Sequence, residues 1–381
     1  MGPLTALKVL IIPDKFKGTL PARAAAEAIA RGWRRARPQD RLELVPMSDG
    51  GDGFGDVLSA VMEARLRTAS VIDAAHRPCR AKWWWESRTQ TAIIESATVI
   101  GLAMLPRGKF HPYKLDTFGL GLFMRHVART GARSCLVGLG GSATNDGGFG
   151  LARALGWEFL GRDGQAIEQW TRLDELRSIR RPTRRFGFKD LIVAVDVRNP
   201  LLGPSGATRV YGPQKGLKQF ALAERCLRRL ARVTAIEFGS DFADIPGAGA
   251  AGGLGFGLMA FTGGRLEPGF DLFARLARLQ HRIRTADVVV TGEGQLDGSS
   301  FMGKGTGEIA RLARLLGKPC LALAGTMEPR AAINRKFAGT WTLEGIADAR
   351  QARARAAFWL EKLAAKVAAA AGQFCRLDAQ G

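Results

Sequence analysis

The chain has 381 residues, of which 46% are hydrophobic and 24% charged, and its formal net charge is +21. The length exceeds what one hydrophobic core usually serves, so two domains are expected of what is otherwise an ordinary globular composition. The 48 glycines come in clusters without a collagen period, which excludes a fibre and points to tight loops near ligands.

The elements alternate from the start. Val9, Leu10, Ile11 and Ile12 form one apolar run, predicting a buried strand over 8–13. A helix follows over 21–37, with Thr19 as N-cap. A short strand at 42–46 and a helix over 54–64 come next. From residue 71 to 119 the texture changes to short strands, turn signals and the Trp83-Trp84-Trp85 run. Further strands are predicted at 92–95, 134–139, 191–195, 287–291 and 320–324. Helices fit 120–130, 149–157, 217–236, 254–261, 272–283, 306–316 and 347–371, the last stopped by Gly372. Strand–helix alternation argues for parallel sheets whose ligands bind at the carboxyl ends of strands.

Those ends carry the chemistry. After the first strand stands Pro13-Asp14-Lys15-Phe16-Lys17-Gly18, two lysines at a strand-to-helix turn suited to an anion. After the second stands Ser48-Asp49-Gly50-Gly51-Asp52-Gly53, whose carboxylates suit Mg²⁺ or a hydroxyl-bearing substrate. The segment 138–150 has six glycines, which let the backbone approach phosphate oxygens. Within it Gly140, Gly141, Ser142, Thr144 and Asn145 offer donors, and Asp146 can hold a cation or cap the next helix. Asp196 ends the strand at 191–195 as a candidate general base, followed by Asn199 and then Gln214 and Lys215, an anion clamp. Thr291-Gly292-Glu293-Gly294 adds a carboxylate at another strand end.

Two motifs miss their templates. Residues 298–304 begin like a P-loop, but Gly305 stands where Ser or Thr should bind Mg²⁺; Lys304 is kept as a phosphate ligand. The Gly247-Ala248-Gly249-Ala250-Ala251-Gly252 match to a dinucleotide fingerprint follows no apolar strand.

Other features set the surroundings. Five scattered cysteines without a CxxC pair read as reduced thiols, and four isolated histidines argue against a His or Cys metal site. No apolar run spans a bilayer, and the N-terminus is too short and mixed for a signal peptide, so a cytoplasmic protein with no membrane partner is expected. The basic residues are dispersed, apart from a cluster at Arg177, Arg180, Arg181, Arg184 and Arg185. With no aromatic–basic strand pattern, a solvated basic surface is favoured over a nucleic-acid partner.

In their order, these segments resemble the bacterial glycerate kinase family. The matching blocks are 13–18, 46–53, 138–148, 196–201, 212–216, 246–253 and 291–294. The resemblance implies phosphorylation of glycerate by ATP, usually at the 2-hydroxyl. It also implies an α/β fold of two domains, a Rossmann-like parallel-sheet domain with a mixed α/β domain inserted and the active site in the cleft between them. Residues 1–75 and 285–381 are assigned to the first and 76–284 to the second. Asp196, Lys15, Lys17 and Lys215 are the catalytic candidates. Asp14, Ser48, Asp49, Gly50, Gly51, Gly140, Gly141, Ser142, Asn145, Asp146, Asn199, Gln214, Gly292, Glu293, Gly294 and Lys304 are candidates to bind substrate or phosphate. Asp49, Asp146 and Glu293 are the candidate Mg²⁺ ligands. ATP and Mg²⁺ are the expected cofactors, and a homodimer is a possible assembly. The alternatives are a nicotinamide-dependent dehydrogenase of a small hydroxy acid, using the Gly247 loop, and a basic nucleic-acid-binding protein. The chain departs from the family pattern at Phe54, at 73–76, at 116–122 and at 298–300, which bears on substrate more than on reaction type.

Overall fold

In the computed structural model, residues 6–184, 186–301, 305–328 and 335–374 are described. Thirteen strands are named in chain order. They are β1 (Lys8–Pro13), β2 (Arg41–Leu44), β3 (Arg65–Ile72), β4 (Pro78–Glu86), β5 (Thr91–Glu95), β6 (Ser134–Gly138), β7 (Glu158–Leu160), β8 (Ser178–Arg180), β9 (Asp190–Val195), β10 (Arg265–Pro268), β11 (Val288–Leu296), β12 (Cys320–Met327) and β13 (Gly339–Thr342). The chain forms two compact units, 1–49 with 270–381, and 50–269.

The first unit is built on a five-stranded parallel sheet in the order β13-β12-β11-β1-β2. Its centre is apolar on both faces because Val9 to Ile12 pair with Val288 to Thr291, and all of these are fully buried. On one face the helices Ala22–Ala36 and Ala356–Phe374 pack together over Ile29, Trp33, Leu360 and Val367. Gly32 is the point of closest approach. A Cβ there would lie 2.0 Å from the carbonyl oxygen of Glu361. We expect Gly32→Ala to cost about 1–3 kcal/mol through overpacking, read as a lowered thermal midpoint.

A buried polar knot closes this unit. The Asp40 carboxylate accepts from Trp33 Nε1 at 2.8 Å, Arg37 Nε at 2.6 Å and the Leu7 amide at 3.0 Å. Burial pushes the Asp40 carboxyl upward, but those hydrogen bonds outweigh it and hold it below the usual range.

The second unit holds a six-stranded mixed sheet in the order β10-β9-β6-β5-β4-β3, and a small β7-β8 hairpin. β10, β9, β6 and β5 run parallel, while β4 and β3 are antiparallel. The Trp run lies in β4, where Trp83 and Trp84 are buried.

Several sequence expectations are corrected. The units divide at 49/50 and 269/270 rather than at 75 and 284. Helix Phe54–Met62 belongs with the second sheet: Glu95, at the end of β5, accepts from the amides of Gly53 and Gly55. Gly55 leaves no space for a Cβ beside the Trp84 ring, 1.9 Å away. β11 runs on through Gly292, Glu293 and Gly294 to Leu296, because β12 pairs along it as far as Met327. The expected helix at 272–283 is two, Gly269–Leu276 and Leu279–Thr285, broken where Arg278 takes φ +49°. The last helix is likewise divided. Asp348 caps Ala349–Ala354, and the second piece runs past Gly372 to Phe374. Thr19 is no cap: its hydroxyl donates to the Phe16 carbonyl, and Pro21 holds the N-cap position.

Candidate active site

In the first unit three acids lie toward the carboxyl side of the sheet, and the Asp49 charge reaches the other two. Asp14 follows β1, Asp49 follows β2 and Glu293 lies in β11. The Asp14 amide donates to the Gly292 carbonyl at 2.8 Å, tying the turn to β11. Burial and the Asp49 charge push the Asp14 carboxyl up to about 7, against the Lys15 amide and charge. Burial also pushes Glu293 up to about 7; the hydroxyls of Ser300 and Thr306 oppose this, and Asp297 and Asp49 add to it. Glu293 Oε1 is buried with no hydrogen-bond partner among the described residues. Gly294 is obligatory at this crossing, since a Cβ would meet the Lys17 amide nitrogen at 2.9 Å. Lys17 itself points to solvent, while Lys15 is half-buried. Helix Gly305–Leu315 begins beside the same acids: a Cβ at Gly305 would lie 3.3 Å from Asp14 Oδ2.

In the second unit the segment after β6 folds onto its neighbours. Ser142 Oγ accepts from the Thr144 amide at 3.0 Å and lies 2.9 Å from the Thr144 hydroxyl. A Cβ at Gly140 would lie 2.9 Å from Gly51 Cα, and one at Gly141 2.8 Å from Asp52 Oδ1, so these two glycine turns touch backbone to backbone. Gly50, at φ +104°, lies against Ala194 of β9.

Asp146 is completely buried and serves as a double helix cap. Its Oδ2 accepts from the Thr117 amide at 2.9 Å, the Thr117 hydroxyl at 2.7 Å and the Gly150 amide at 2.9 Å. It thereby joins the starts of the helices Phe118–Arg129 and Phe149–Ala154. Burial, then the nearby Asp116 charge, push its carboxyl up to about 6 despite these bonds. Asp146, expected as a Mg²⁺ ligand, thus commits Oδ2 to two helix starts, while among the described residues Oδ1 accepts only from the Gly148 amide at 3.3 Å.

Lys215 is also a buried charge. Its Nζ donates to the Thr144 carbonyl at 2.6 Å, and a Cβ at Gly252 would meet that Nζ at 2.8 Å. Burial lowers its pKa to about 7, which the Asp146 charge only partly opposes. Next to Thr144, Asn145 donates to the Thr208 hydroxyl at 3.0 Å, while its Oδ1 is buried with no partner among the described residues. A buried polar atom left so in a native fold calls for a ligand or water.

Asp196 follows β9, half-buried. Tyr211 is pushed up to about 12 by burial and then by the Asp196 charge, and its hydroxyl donates to Asn199 Oδ1 at 2.6 Å. Asn199 in turn holds the Gly247 segment, accepting from the Gly249 amide at 3.0 Å through its carbonyl. That segment bends through left-handed Ala251, Gly252 and Gly253 into a helix, and the Gly252 carbonyl accepts from the Gly147 amide at 3.1 Å. It follows no strand and supports the segment after β6. Gln214 is exposed and stands apart from the buried cluster. Lys304 lies outside the described residues.

The sequence reading missed Glu95. It ends β5 with 9% exposure, and its two oxygens accept from Gly53 at 3.0 Å and Gly55 at 3.2 Å. Burial raises its pKa, against those amides, and Asp52 and Asp56 raise it further. An acid closing an otherwise apolar strand was the available signal. We expect Glu95→Ala to cost about 1–3 kcal/mol by stranding buried amides and to raise KM more than it lowers kcat, because the 50–53 turn loses its anchor. Glu95→Gln, which keeps acceptor capacity, is expected to recover part of the loss in the same assay.

The family model described as the glycerate kinase family matches residues 9–372. The chain belongs to the glycerate kinase family. Glycerate kinase of Halalkalibacterium halodurans is 36% identical over 324 residues, covering 84% of this chain and 85% of that protein. Glycerate 2-kinase of Escherichia coli K12 is 35% identical over 326 residues, covering 84% and 86%. A solved structure assigned as glycerate kinase 2, from Salmonella typhimurium LT2, superposes with a TM-score of 0.81 at 31% identity, covering 97% of this chain and all of that one. The second unit of this family member holds a half-buried Asp196 after β9 and a buried Lys215 in the turn Pro213–Lys215, and the first unit holds its acids at strand ends. No helix among the described residues is long and apolar enough to cross a membrane.

Proposed function

We propose that this member of the glycerate kinase family transfers the γ-phosphoryl group of ATP to the 2-hydroxyl of glycerate, giving 2-phosphoglycerate. The observation that carries the reading is the cluster of Lys215, Thr144 and Asn145. A buried ammonium on the Thr144 carbonyl, next along the chain to an amide oxygen with no partner among the described residues, suits a ligand bearing both an anionic group and a hydroxyl. The E. coli relative named a 2-kinase supports the choice of hydroxyl.

In this reading Asp196 accepts the proton of the attacking hydroxyl as the new O–P bond forms and the bond to the ADP oxygen breaks. Lys215, with Lys15 and Lys17, neutralises the carboxylate or the transferring phosphoryl oxygens. The oxygen-donor set of the first unit fits Mg²⁺: acids that repel one another, with a buried Glu293 oxygen that has no partner among the described residues. Among the described residues no group of three or more His, Cys, Asp or Glu side chains is placed to hold a metal ion. Mg²⁺ is ordinarily held by one or two carboxylates plus substrate phosphates, and Asp49 and Glu293 would supply them. When bound, it would screen the phosphate charge.

The experiment is ADP release with D-glycerate and related hydroxy acids, with phosphorus NMR of the product. A phosphate coupled to the C2 proton is expected. No turnover with any hydroxy acid overturns the assignment, and coupling to the C3 protons overturns the choice of hydroxyl.

A further inference from the structure

A concave site lies in the second unit, at the opposite end of the sheet from Asp196. Its cavity of ≈ 1010 Å³ opens beside Lys189, just before β9, and Gly264 and Arg265, at the start of β10. The candidate active-site segments leave the carboxyl ends of β6 and β9. Six strand residues separate the two ends, roughly 20 Å at about 3.3 Å per residue.

Five aromatic rings on its wall are only half-buried: Trp157, Phe186, Phe188, Phe238 and Phe242. They form a connected set in part, with Trp157 centred 5.3 Å from Phe238 and Phe186 5.3 Å from Phe188. Their polar need is met, since Trp157 Nε1 donates to the Phe261 carbonyl at 3.1 Å. Together these half-buried rings give the cavity an aromatic wall against which a flat ring can stack.

The charge of the lining has one sign. Arg181, Lys189 and Arg265 line the cavity, and among the described residues no acid does. The Arg181 guanidinium lies 4.8 Å from the centre of the Phe238 ring. Among the described residues no carboxylate pairs with Arg181 or Lys189, and Arg265 meets Asp190 only at 3.9 Å with both side chains exposed. Arg181 belongs to the arginine cluster that the kinase reading leaves unused.

We propose that this cavity binds a flat aromatic anion, its ring seated among the phenylalanines and its carboxylate or phosphate held by Arg181 and Lys189. The site can reach the active-site segments through one element. Helix Ala250–Thr262 lines the cavity with Met259, Ala260 and Phe261, while its kinked start packs on Gly147 and Thr144. The proposal does not depend on the identity of the kinase substrate.

The test is calorimetric titration of the full chain with 2-naphthoate. One saturable site is expected. The double variant R181A/K189A should weaken binding about tenfold or more, since two charge-assisted contacts are lost. The uncharged analogue 2-naphthol should bind correspondingly more weakly. Phe186→Ala, which keeps every charge, should also weaken naphthoate. Thermal midpoints close to that of the unmodified chain establish that the variants fold. No saturable binding, binding unchanged in R181A/K189A, or equal binding of naphthol overturns the proposal.

Discussion

Replacing Asp196 by asparagine is expected to lower kcat by roughly 10²- to 10⁴-fold, the usual contribution of a positioned base. Asparagine keeps the shape and half-buried position of the side chain but cannot accept the hydroxyl proton. The thermal midpoint should therefore stay near that of the unmodified protein. A second readout separates a local electrostatic effect from misfolding. Tyr211 owes its raised pKa to burial and then to the Asp196 charge. Removing that charge should let the Tyr211 hydroxyl ionise at lower pH, though burial will hold it above the ordinary value. The chain has only two tyrosines, so the shift is readable by ultraviolet titration. Near-full turnover by Asp196→Asn would refute the base assignment.

Lys215→Met is expected to lower kcat by about 10²- to 10³-fold, the scale of losing one positioned donor to a developing anion. It is also expected to abolish a pH dependence. In the folded protein burial lowers the Lys215 pKa from 10.5 to about 7. Between about 7 and 10.5 the unfolded chain therefore binds the extra proton, so the Lys215 contribution makes stability rise with pH across that window. Below about 7 the buried ammonium carries its full desolvation cost. Binding of an anion has the opposite requirement, because it needs the ammonium. Affinity for an anionic ligand should thus fall as pH rises above about 7, by up to roughly tenfold per unit. Equilibrium binding across pH 6–9 should show that limb in the unmodified protein and lose it in Lys215→Met. An unchanged limb in the variant would assign it to another group.

Local periodicity was enough for most of the framework. Val9 to Ile12 are apolar on both faces, and the strand found there has the expected bounds. The strands at β5, β6 and β9 each differ by one residue from expectation, since continuous apolar runs between turn signals have few alternatives. Errors gathered where a distant partner decides. β11 extends through Gly292-Glu293-Gly294 because Leu323 and Ala324 pair with it, and glycines in isolation read as a turn. Helix breaks at Arg278 and Arg355 follow from single backbone angles that no residue preference announces.

The candidate site divides along the same line. By itself the sequence determined which glycine turns and charged side chains stand at strand ends, because strand and turn chemistry are local. Their order along the chain carried the resemblance that the family match bears out. Only the tertiary structure decided what those side chains do to one another. Asp146 accepts through Oδ2 from Thr117, 29 residues away. Lys215 is buried on the carbonyl of Thr144, 71 residues away, and loses basicity there. Glu95 anchors a turn 42 residues earlier. Burial and long-range hydrogen bonds set these properties, and neither is encoded in the spacing of residues along one segment.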